Sequence, residues 1–360
     1  MAKEPIEDLL AGRTPARLPW LPELNDGFVR KVMGLPPDSA EPYWPLSVRA
    51  ARRIGADHLR RVTSVKTVRR RVTLEERDGG MTRIWHTPKG DLRRVQEPAP
   101  ASGTVFTREH PIKGPESFAA FAALVEDEQY APDYAAAQAE IAEADLATID
   151  VPATPLMHLL MWEMDVQPTL MAMLDHRQAM LELIGVMHER NKEYYRLASA
   201  GPGRVLRPME DTSAMLTGPT MYAEVCVSQL NDYAAIAHAA GKLFIPHMCG
   251  HLGQMLDVLA EVELDGIEAI TPPPLGNADL EAMRRRLGDI WLWGGVDPSQ
   301  YANATPQAMA AHVRHTLDVM RGDRKFILGS EEIPVSARME NVQAVAELVR
   351  QTAGTFYRPA

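Results

Sequence analysis

Short apolar segments alternate with longer amphipathic segments from about residue 145 to the end of the chain. The apolar segments predict strands at 147–155, 205–209, 243–247, 266–270, 290–294 and 326–328. The amphipathic segments predict helices at 178–199, 222–240, 253–261, 279–287, 306–320 and 340–352. Repeated strand–helix units with apolar strands are typical of a parallel sheet covered by helices. This many units favour an α/β fold of the (β/α)8 TIM-barrel type, with residues 18–24 as the first strand.

The first third of the chain follows a different pattern. Residues 61–76 alternate apolar with basic or polar side chains, and the Asp-Gly-Gly sequence at 78–80 predicts a turn. Two more extended segments follow at 81–86 and 91–96. These signals predict a β-hairpin or small meander with one face in solvent. We therefore expect residues 58–110 to be a β-rich insertion in a single barrel domain that spans residues 1–360.

Composition and charge limit the classes of function. The chain has 38 basic and 48 acidic residues, and the net charge of −10 argues against nucleic-acid binding. Its two cysteines cannot form a disulfide framework and fit a reducing compartment. The N-terminus shows no apolar signal segment, and no apolar run approaches the ~18 residues of a membrane span. We expect a soluble cytoplasmic protein that acts on a small molecule; the sequence leaves open whether it forms a homodimer.

The predicted barrel fold indicates where the active site lies. In (β/α)8 enzymes the site lies where the strands end and the following loops begin. The residues at these positions are Glu23, Asn25, Glu210, Asp211, His247, Cys249, Glu268, Thr271, Gly295, Asp297, Glu331 and Glu332. Side chains that can bind a ligand are therefore concentrated at one end of the barrel, which predicts an enzyme.

The segment 244–250, FIPHMCG, carries the most specific chemistry in the chain. On an extended backbone, His247 and Cys249 point the same way, and their nitrogen and sulfur atoms suit zinc. Further ligands must come from another loop, and the sequence offers the pair Glu331 and Glu332 or the loop after the strand at 205–209. The alternative is that His247 is a satisfied core histidine and Cys249 a buried apolar side chain.

Five other residues are candidates for substrate binding or catalysis. Glu210 and Asp211 could position a substrate, complete the metal shell or act as general acid and base, with helix capping as the alternative. We expect Trp162, Trp20 and Glu268 to contact the substrate. For Trp162, packing in the core is the alternative.

The chain resembles the uroporphyrinogen decarboxylase superfamily, and within it the branch of corrinoid-dependent methyltransferases. The resemblance covers most of the chain and is most distinctive at 265–274 (DGIEAITPPP) and 293–298 (WGGVDP). His247 and Cys249 match the His-x-Cys zinc motif of that branch. The third ligand of that branch is a cysteine near the last strand, where this chain has GSEE at 329–332. A carboxylate ligand from Glu331 or Glu332 implies a harder metal site than two cysteines would make.

The resemblance implies a zinc-dependent methyltransferase that moves a methyl group between a small substrate of ether, amine or thiol type and a corrinoid (cobalamin) carried by a separate small protein. A carboxylate-containing site favours the ether or amine type, because a Lewis acid helps their leaving group. The decarboxylases of the superfamily carry an Arg-Gln-Ala-Gly-Arg motif after the first strand, whereas residues 21–27 here read LPELNDG. The alternatives are a metal-independent decarboxylase or related lyase and a non-catalytic ligand-binding barrel.

Overall fold

The helices and strands are described by a computed structural model that covers residues 6, 9–10, 12–99, 104–142 and 144–357. The strands are β1 (Leu59–Val62), β2 (Val65–Val68), β3 (Thr73–Arg77), β4 (Thr82–Thr87), β5 (Gly90–Ala99), β6 (Thr104–Glu109), β7 (Gln129–Pro132), β8 (Leu146–Val151), β9 (Val205–Pro208), β10 (Leu243–Phe244), β11 (Gly266–Ile270), β12 (Trp291–Gly295) and β13 (Phe326–Gly329). The helices are α1 (Asp26–Met33), α2 (Tyr43–Ile54), α3 (Phe118–Glu126), α4 (Tyr134–Ile141), α5 (Pro155–His158), α6 (Val166–Asp175), α7 (Arg177–Ala200), α8 (Gly218–Val225), α9 (Val227–Ala239), α10 (Leu256–Leu259), α11 (Leu280–Leu287), α12 (Pro298–Asn303), α13 (Pro306–Val319) and α14 (Met339–Gln351). A π-helical turn, Leu159–Glu163, follows α5.

A ring of parallel strands forms the centre of the molecule. β1, β8, β9 and β10 form one parallel group in that order, and β11, β12 and β13 form a second. His247 joins the groups on one side by pairing in parallel with Glu268 of β11. On the other side, Leu21 donates its N–H to the carbonyl of Leu328 in β13 (2.8 Å), so residues 18–24 act as a further strand. The predicted parallel α/β barrel is confirmed.

The junction between residues 18–24 and β1 is the loosest part of the ring. Asp57 donates its N–H to the carbonyl of Trp20 (2.8 Å), and within the described ranges this is the one backbone hydrogen bond between the two segments. Elsewhere in the ring, neighbouring strands are joined by two or more paired residues or backbone hydrogen bonds. The barrel wall is therefore open along this junction, and a cavity lies there.

The β-rich insertion is present, but its predicted boundaries are wrong. β1 is a barrel strand, because it pairs in parallel with β8. β2 pairs antiparallel with β7, and only β3 to β6 form the four-stranded antiparallel meander. The alternating pattern of 61–76 was misleading because the two arginines of β1 are tied down by acids: Arg60 pairs with Glu140 (2.7 Å) and Arg61 with Asp150 (3.0 Å).

The strands bury an apolar layer inside the barrel. A separate cluster of buried residues draws one or two members from each of seven strands: Leu21, Leu59, Leu146, Val205, Ile245, Trp291, Trp293 and Ile327. At the matching position of β11 stands Gly266, where a Cβ would lie 2.5 Å from the Cβ of Trp291. This layer fills one end of the barrel and supports the polar layer above it. Among the helices of the described residues, none is both long and apolar enough to cross a membrane.

Candidate metal centre

A polar layer lies one step further along the same strands. Side chains alternate between the two faces of a strand, so the residue two positions after each apolar residue also points into the barrel. From Leu21, Leu59, Val205, Ile245 and Gly266 this step leads to a charged or polar group in every case: Glu23, Arg61, Arg207, His247 and Glu268. The chain therefore places a charged cluster at the carboxyl end of the barrel, directly above its apolar layer.

Arg207 is the centre of this cluster. It is 1% exposed, and its guanidinium bonds the carboxylate of Glu268 (Nε to Oε2, 2.9 Å) and that of Glu23. Burial opposes the charge, but Glu268, Glu23 and Asp150 together raise the pKa of Arg207 above its ordinary value. Arg207 is thus a permanent positive charge that holds two carboxylates in place.

His247 is oriented by the same cluster. Its Nδ1 lies 2.6 Å from Oε2 of Glu268, and its side chain is 3% exposed. Burial lowers the pKa of His247, but the charge of Glu268 outweighs burial and the net shift is upward. Nη2 of Arg207 also lies 2.6 Å from Nδ1. Because both partners meet the ring at Nδ1, Nε2 is the nitrogen left to face the loops, as in metal-binding histidines.

Asp211 meets both residues of the His-x-Cys motif. Its Oδ1 accepts from the Sγ of Cys249 at 3.0 Å and lies 3.6 Å from Nε2 of His247. One ligand atom from each of the three residues lies within 4.8 Å of the others. Tetrahedral zinc places its ligand atoms roughly 3.3 to 3.8 Å apart, given its bond lengths. The nitrogen, sulfur and oxygen donors present here therefore fit a zinc ion with small adjustments.

The loop that carries Asp211 is held against the loop of Cys249. Asp211 has a φ of 41°, in the left-handed region that non-glycine residues rarely adopt, and its N–H donates to the carbonyl of His247 (3.1 Å). The two loops also approach closely at Gly250, where the Cβ of any other residue would lie 2.3 Å from the carbonyl oxygen of Thr212. Unusual backbone of this kind is common where a side chain must be aimed at a functional site.

The negative charge around Cys249 indicates a site for a cation. Burial raises the pKa of the Cys249 thiol, and the carboxylates of Asp211 and Glu331 raise it further. A bound metal would displace the thiol proton, because the thiolate is the form that ligates. A second group of candidate ligands, Glu23, His247 and Glu268, also lies within 4.8 Å. That group already surrounds the guanidinium of Arg207, so the first group is the better metal site.

Glu331 and Glu332 occupy different places from those expected. Neither is in a cluster of candidate ligand atoms. Glu331 is close enough to His247 and Asp211 for their charges to affect it, and burial raises its pKa. Glu332 turns away and accepts from Nδ2 of Asn25 at 3.2 Å, and burial raises its pKa to about 7. Glu331 as a ligand stays a prediction, whereas Glu332 lies on the cavity beside β1.

Glu210 lies behind the site. It is fully buried and accepts from the N–H and hydroxyl of Thr154 (2.9 and 2.6 Å) and from the hydroxyl of Tyr222 (3.1 Å). Burial raises the pKa of Glu210 to about 7. Its carboxylate thus ties the loop after β9 to the loop after β8 and to α8. The backbone N–H of Glu210 donates to the carbonyl of His247 (3.0 Å), and the catalytic role of its carboxylate stays a prediction.

The three predicted substrate contacts have different outcomes. Trp20 is wholly buried in the core, so the structure does not place it in contact with a substrate. Glu268 is 1% exposed and bonds His247 and Arg207, so it orients the histidine rather than a substrate. Trp162 is half-buried on the π-helical turn and packs edge-on against His158 (4.9 Å), and its contact with substrate stays a prediction.

Arg207 is the residue of this site that the sequence-based argument missed. The signal was present, because an arginine stands in the middle of the apolar segment 205–209, VLRPM. A charged side chain in a buried strand must be paired, so its partners can be sought among the acids of neighbouring strands.

The sequence profile of one protein family matches more than half of the chain. The family is described as uroporphyrinogen decarboxylase (URO-D), and the match covers residues 148–352. The chain belongs to the uroporphyrinogen decarboxylase family. The matched segment holds Arg207, Asp211, His247, Cys249 and Glu268, so the candidate metal site lies inside the family domain. A search of curated protein sequences finds no significant match.

One solved structure shares the fold of this uroporphyrinogen decarboxylase family member, and two others are similar to it at lower TM-scores. A methyltransferase from Methanosarcina mazei superposes with a TM-score of 0.62 and 12% identity, over 96% of this chain and 97% of that one. A B12-independent methionine synthase from a Shewanella species gives a TM-score of 0.42 and 14% identity, over 86% and 87%. A putative B12-independent methionine synthase from Listeria monocytogenes gives 0.45 and 12%, over 94% and 95%. At 12% identity the comparison with the M. mazei protein concerns the fold alone.

Proposed function

We propose that this chain is a zinc-dependent methyltransferase that moves a methyl group between a small substrate and a corrinoid carried by a separate protein. The observation that carries the proposal is the convergence of His247, Cys249 and Asp211 at the open end of the barrel. Membership of the uroporphyrinogen decarboxylase family and the shared fold with a methyltransferase from M. mazei support it.

The donor set fits the proposed ion. His247 would bind through Nε2, Cys249 through its thiolate and Asp211 through a carboxylate oxygen, with the nearby Glu331 as the candidate for a further ligand. Zinc held there would supply Lewis-acid chemistry, which weakens the bond between a methyl group and its oxygen or nitrogen leaving group. A site with one thiolate, one imidazole and one carboxylate favours oxygen or nitrogen leaving groups over the activation of a substrate thiol.

The protein groups around this set have separate tasks. Glu268 fixes the tautomer and orientation of His247 through Nδ1. Arg207 neutralises Glu268 and Glu23, so two carboxylates can stand beside the site without repelling each other. The strained backbone of Asp211 aims its carboxylate at Cys249. Together they keep the three donors in place before any ligand arrives.

The charge at the mouth of the barrel disfavours decarboxylation of a polycarboxylate. Glu23, Asp211, Glu331 and Glu332 lie around the opening, and Arg61 is already paired with Asp150. A substrate with several carboxylates would meet repulsion rather than a cationic clamp. A neutral or cationic methyl donor fits this surface better.

Metal analysis and a methyl-transfer assay test the proposal together. The purified chain should hold about one zinc per chain, and Cys249→Ala should lose it. Cys226→Ala is the matched control, because Cys226 is buried against Thr154 and lies outside the candidate ligand group. With free cob(I)alamin as acceptor and a panel of methoxylated and N-methylated donors, the absorbance change of methylcobalamin formation measures activity.

Two results would contradict the proposal. One is a folded protein that holds no zinc after reconstitution, and the other is methyl transfer that survives both chelation and Cys249→Ala. Carbon dioxide release from a carboxylated substrate under the same conditions would instead favour the decarboxylase alternative.

A further inference from the structure

A large cavity lies in the opening between residues 18–24 and β1. Its volume is about 750 Å³, and it is lined by residues that include Glu23, Tyr43, Trp44, Asp150 and Glu332. Glu23 and Asp150 also contact Arg207, whose guanidinium bonds the carboxylate that holds His247. The inner wall of the cavity is therefore the outer side of the charged cluster of the metal centre.

Most of the negative charge in this cavity is already neutralised. Seven carboxylates line it, and six have a cationic partner: Asp57 with Arg17, Asp26 with Arg30, Glu140 with Arg60, Asp133 with Lys66, Asp150 with Arg61, and Glu23 with Arg207. Glu332 is the exception among the described residues. Its carboxylate accepts from the amide of Asn25 and forms no ion pair. Among these seven carboxylates Glu332 is thus the one without a cationic partner, and a bound cation would favour its ionised form.

Two aromatic rings, Tyr43 and Trp44, line the same cavity as Glu332. The Tyr43 hydroxyl donates to the carbonyl of Leu24 (2.5 Å), which fixes the ring. Burial raises the pKa of Tyr43, and the charges of Glu23 and Glu332 raise it further. The neighbouring ring of Trp44 already carries a cation, because the guanidinium of Arg60 lies 4.1 Å from its centroid. A carboxylate beside aromatic faces is the chemistry that recognises organic cations.

A second, independent feature also indicates a ligand. The Nη1 atom of Arg207 has no hydrogen-bond partner although the residue is 1% exposed, and it lies 3.7 Å from Oδ1 of Asp150, which also has none. Buried polar atoms without partners are rare in native proteins. A hydroxyl group placed between them could accept from Arg207 and donate to Asp150, and Asp150 is part of the cavity wall.

We propose that this cavity is the substrate-binding cavity and that it takes a small organic cation, an amine or quaternary ammonium compound with a hydrogen-bonding oxygen. The cationic group lies between Glu332 and the ring of Tyr43, and the oxygen reaches Arg207 and Asp150. The role as substrate rests on the proposed methyl transfer, whereas the binding itself does not.

A pair of isosteric probes isolates the charge. Choline and 3,3-dimethyl-1-butanol have the same shape and the same hydroxyl group, but only choline carries a positive charge. We expect choline to bind and to quench tryptophan fluorescence, since Trp44 lines the cavity. The neutral probe should bind at least about tenfold more weakly, because it gains neither the ion pair nor the cation–π contact. Calorimetric titration of both probes gives the ratio.

Three variants assign the effect to the cavity. Glu332→Gln should weaken choline about tenfold and leave the neutral probe unchanged, because it removes the uncompensated charge and keeps the shape. Tyr43→Leu should weaken choline, whereas Tyr43→Phe should retain it, because the phenylalanine keeps the aromatic face. Glu41→Gln is the matched control: Glu41 is exposed and pairs with Arg49 outside the cavity.

The outcomes separate this inference from the proposed function. Equal binding of the two probes, no binding of choline at about 10 mM, or an unchanged affinity in Glu332→Gln would overturn the inference. Zinc content should stay the same in Glu332→Gln, because Glu332 is outside the metal cluster. A chain that binds zinc but not choline would refute the cation cavity alone, and one that binds choline without zinc would refute the metal centre alone.

Discussion

Oδ1 of Asp211 lies 3.0 Å from Sγ of Cys249, although the two residues are 38 positions apart and follow different strands of the barrel. The contact turns a two-residue motif into a three-donor site. It also makes a carboxylate from the loop after β9, one of the alternatives left open by the sequence, a candidate for the third position beside Glu331 of the loop after β13. The distinction between Asp211 and Glu331 as the third ligand is therefore open to a direct test.

Asp211→Asn should lower zinc affinity by more than Glu331→Gln does. Loss of an outer-shell partner lowers metal affinity roughly ten- to hundredfold, and loss of a direct ligand should lower it at least as much. The dissociation constants follow from competition with a chromophoric chelator, and both variants replace a carboxylate by an amide of the same size. A larger loss in Glu331→Gln would show that the last loop supplies the ligand, as the sequence alone suggested.

Glu268→Gln should weaken zinc binding although Glu268 does not contact the ion. The variant removes the charge that orients Nδ1 of His247 (2.6 Å), and such outer-shell changes cost roughly ten- to hundredfold in metal affinity. Asp232→Asn is the control, because Asp232 makes a similar contact with His188 (2.9 Å) outside the barrel mouth. Thermal unfolding of the apo-proteins checks that any loss is not a loss of fold. Equal zinc affinity in wild type and Glu268→Gln would refute the orienting role.

The sequence predicted the barrel because its strands bury apolar side chains on both faces. Such strands remain recognisable one by one, as Gly266–Ile270 and Phe326–Gly329 show. β1 was assigned to the insertion because Arg60 and Arg61 resemble the charged residues of a solvated strand. Their acid partners lie 80 and 89 positions away, and no local pattern reveals them.

The sequence predicts the part of the candidate site that follows from strand geometry. The period of two along a strand links His247 to Cys249, and the rule of the barrel rim adds Asp211 and Glu268. What the rule does not give is the direction of each side chain after the strand ends. Glu332 bonds Asn25, and Glu210 bonds Thr154 and Tyr222. These hydrogen bonds join different loops, and the loops vary from one barrel to another, so the general rule does not predict them.

His58 should make the protein less stable as the pH falls from about 6.5 to about 4. Burial, with the charges of Arg60 and Arg52, lowers the pKa of His58 from 6.5 to about 4, and its Nε2 lies 3.0 Å from the hydroxyl of Ser47. Between these values the unfolded chain binds a proton that the folded protein does not, so the free energy of unfolding decreases with falling pH. The loss is at most about 3 to 4 kcal/mol, because each pH unit of this window contributes about 1.4 kcal/mol.

Urea unfolding of wild type and His58→Gln at several pH values measures this contribution. The variant should have a flatter dependence of unfolding free energy on pH in this window, whatever its stability at pH 8. Parallel curves for the two proteins would show that folding does not lower the pKa of His58.

Gly250→Ala should disturb the metal centre without changing any donor atom. A Cβ at this position would lie 2.3 Å from the carbonyl oxygen of Thr212 and 2.5 Å from the Cβ of Ser213. These atoms are backbone or close to it, so the loops that carry Cys249 and Asp211 must separate. Overpacking of this kind costs about 1–3 kcal/mol, and the wider spacing should weaken zinc binding as well.

Gly185→Ala is the matched control for this substitution. Gly185 is exposed in the middle of α7, and a Cβ there would meet nothing within 4 Å. Alanine should stabilise the helix by about 0.5–1 kcal/mol and leave zinc affinity unchanged. Chelator competition and thermal unfolding of the two variants separate the effects. Zinc binding in Gly250→Ala as tight as in wild type would contradict this account. It would show that the close approach of the two loops does not bring Asp211 to Cys249, and that the strained backbone of Asp211 does so alone.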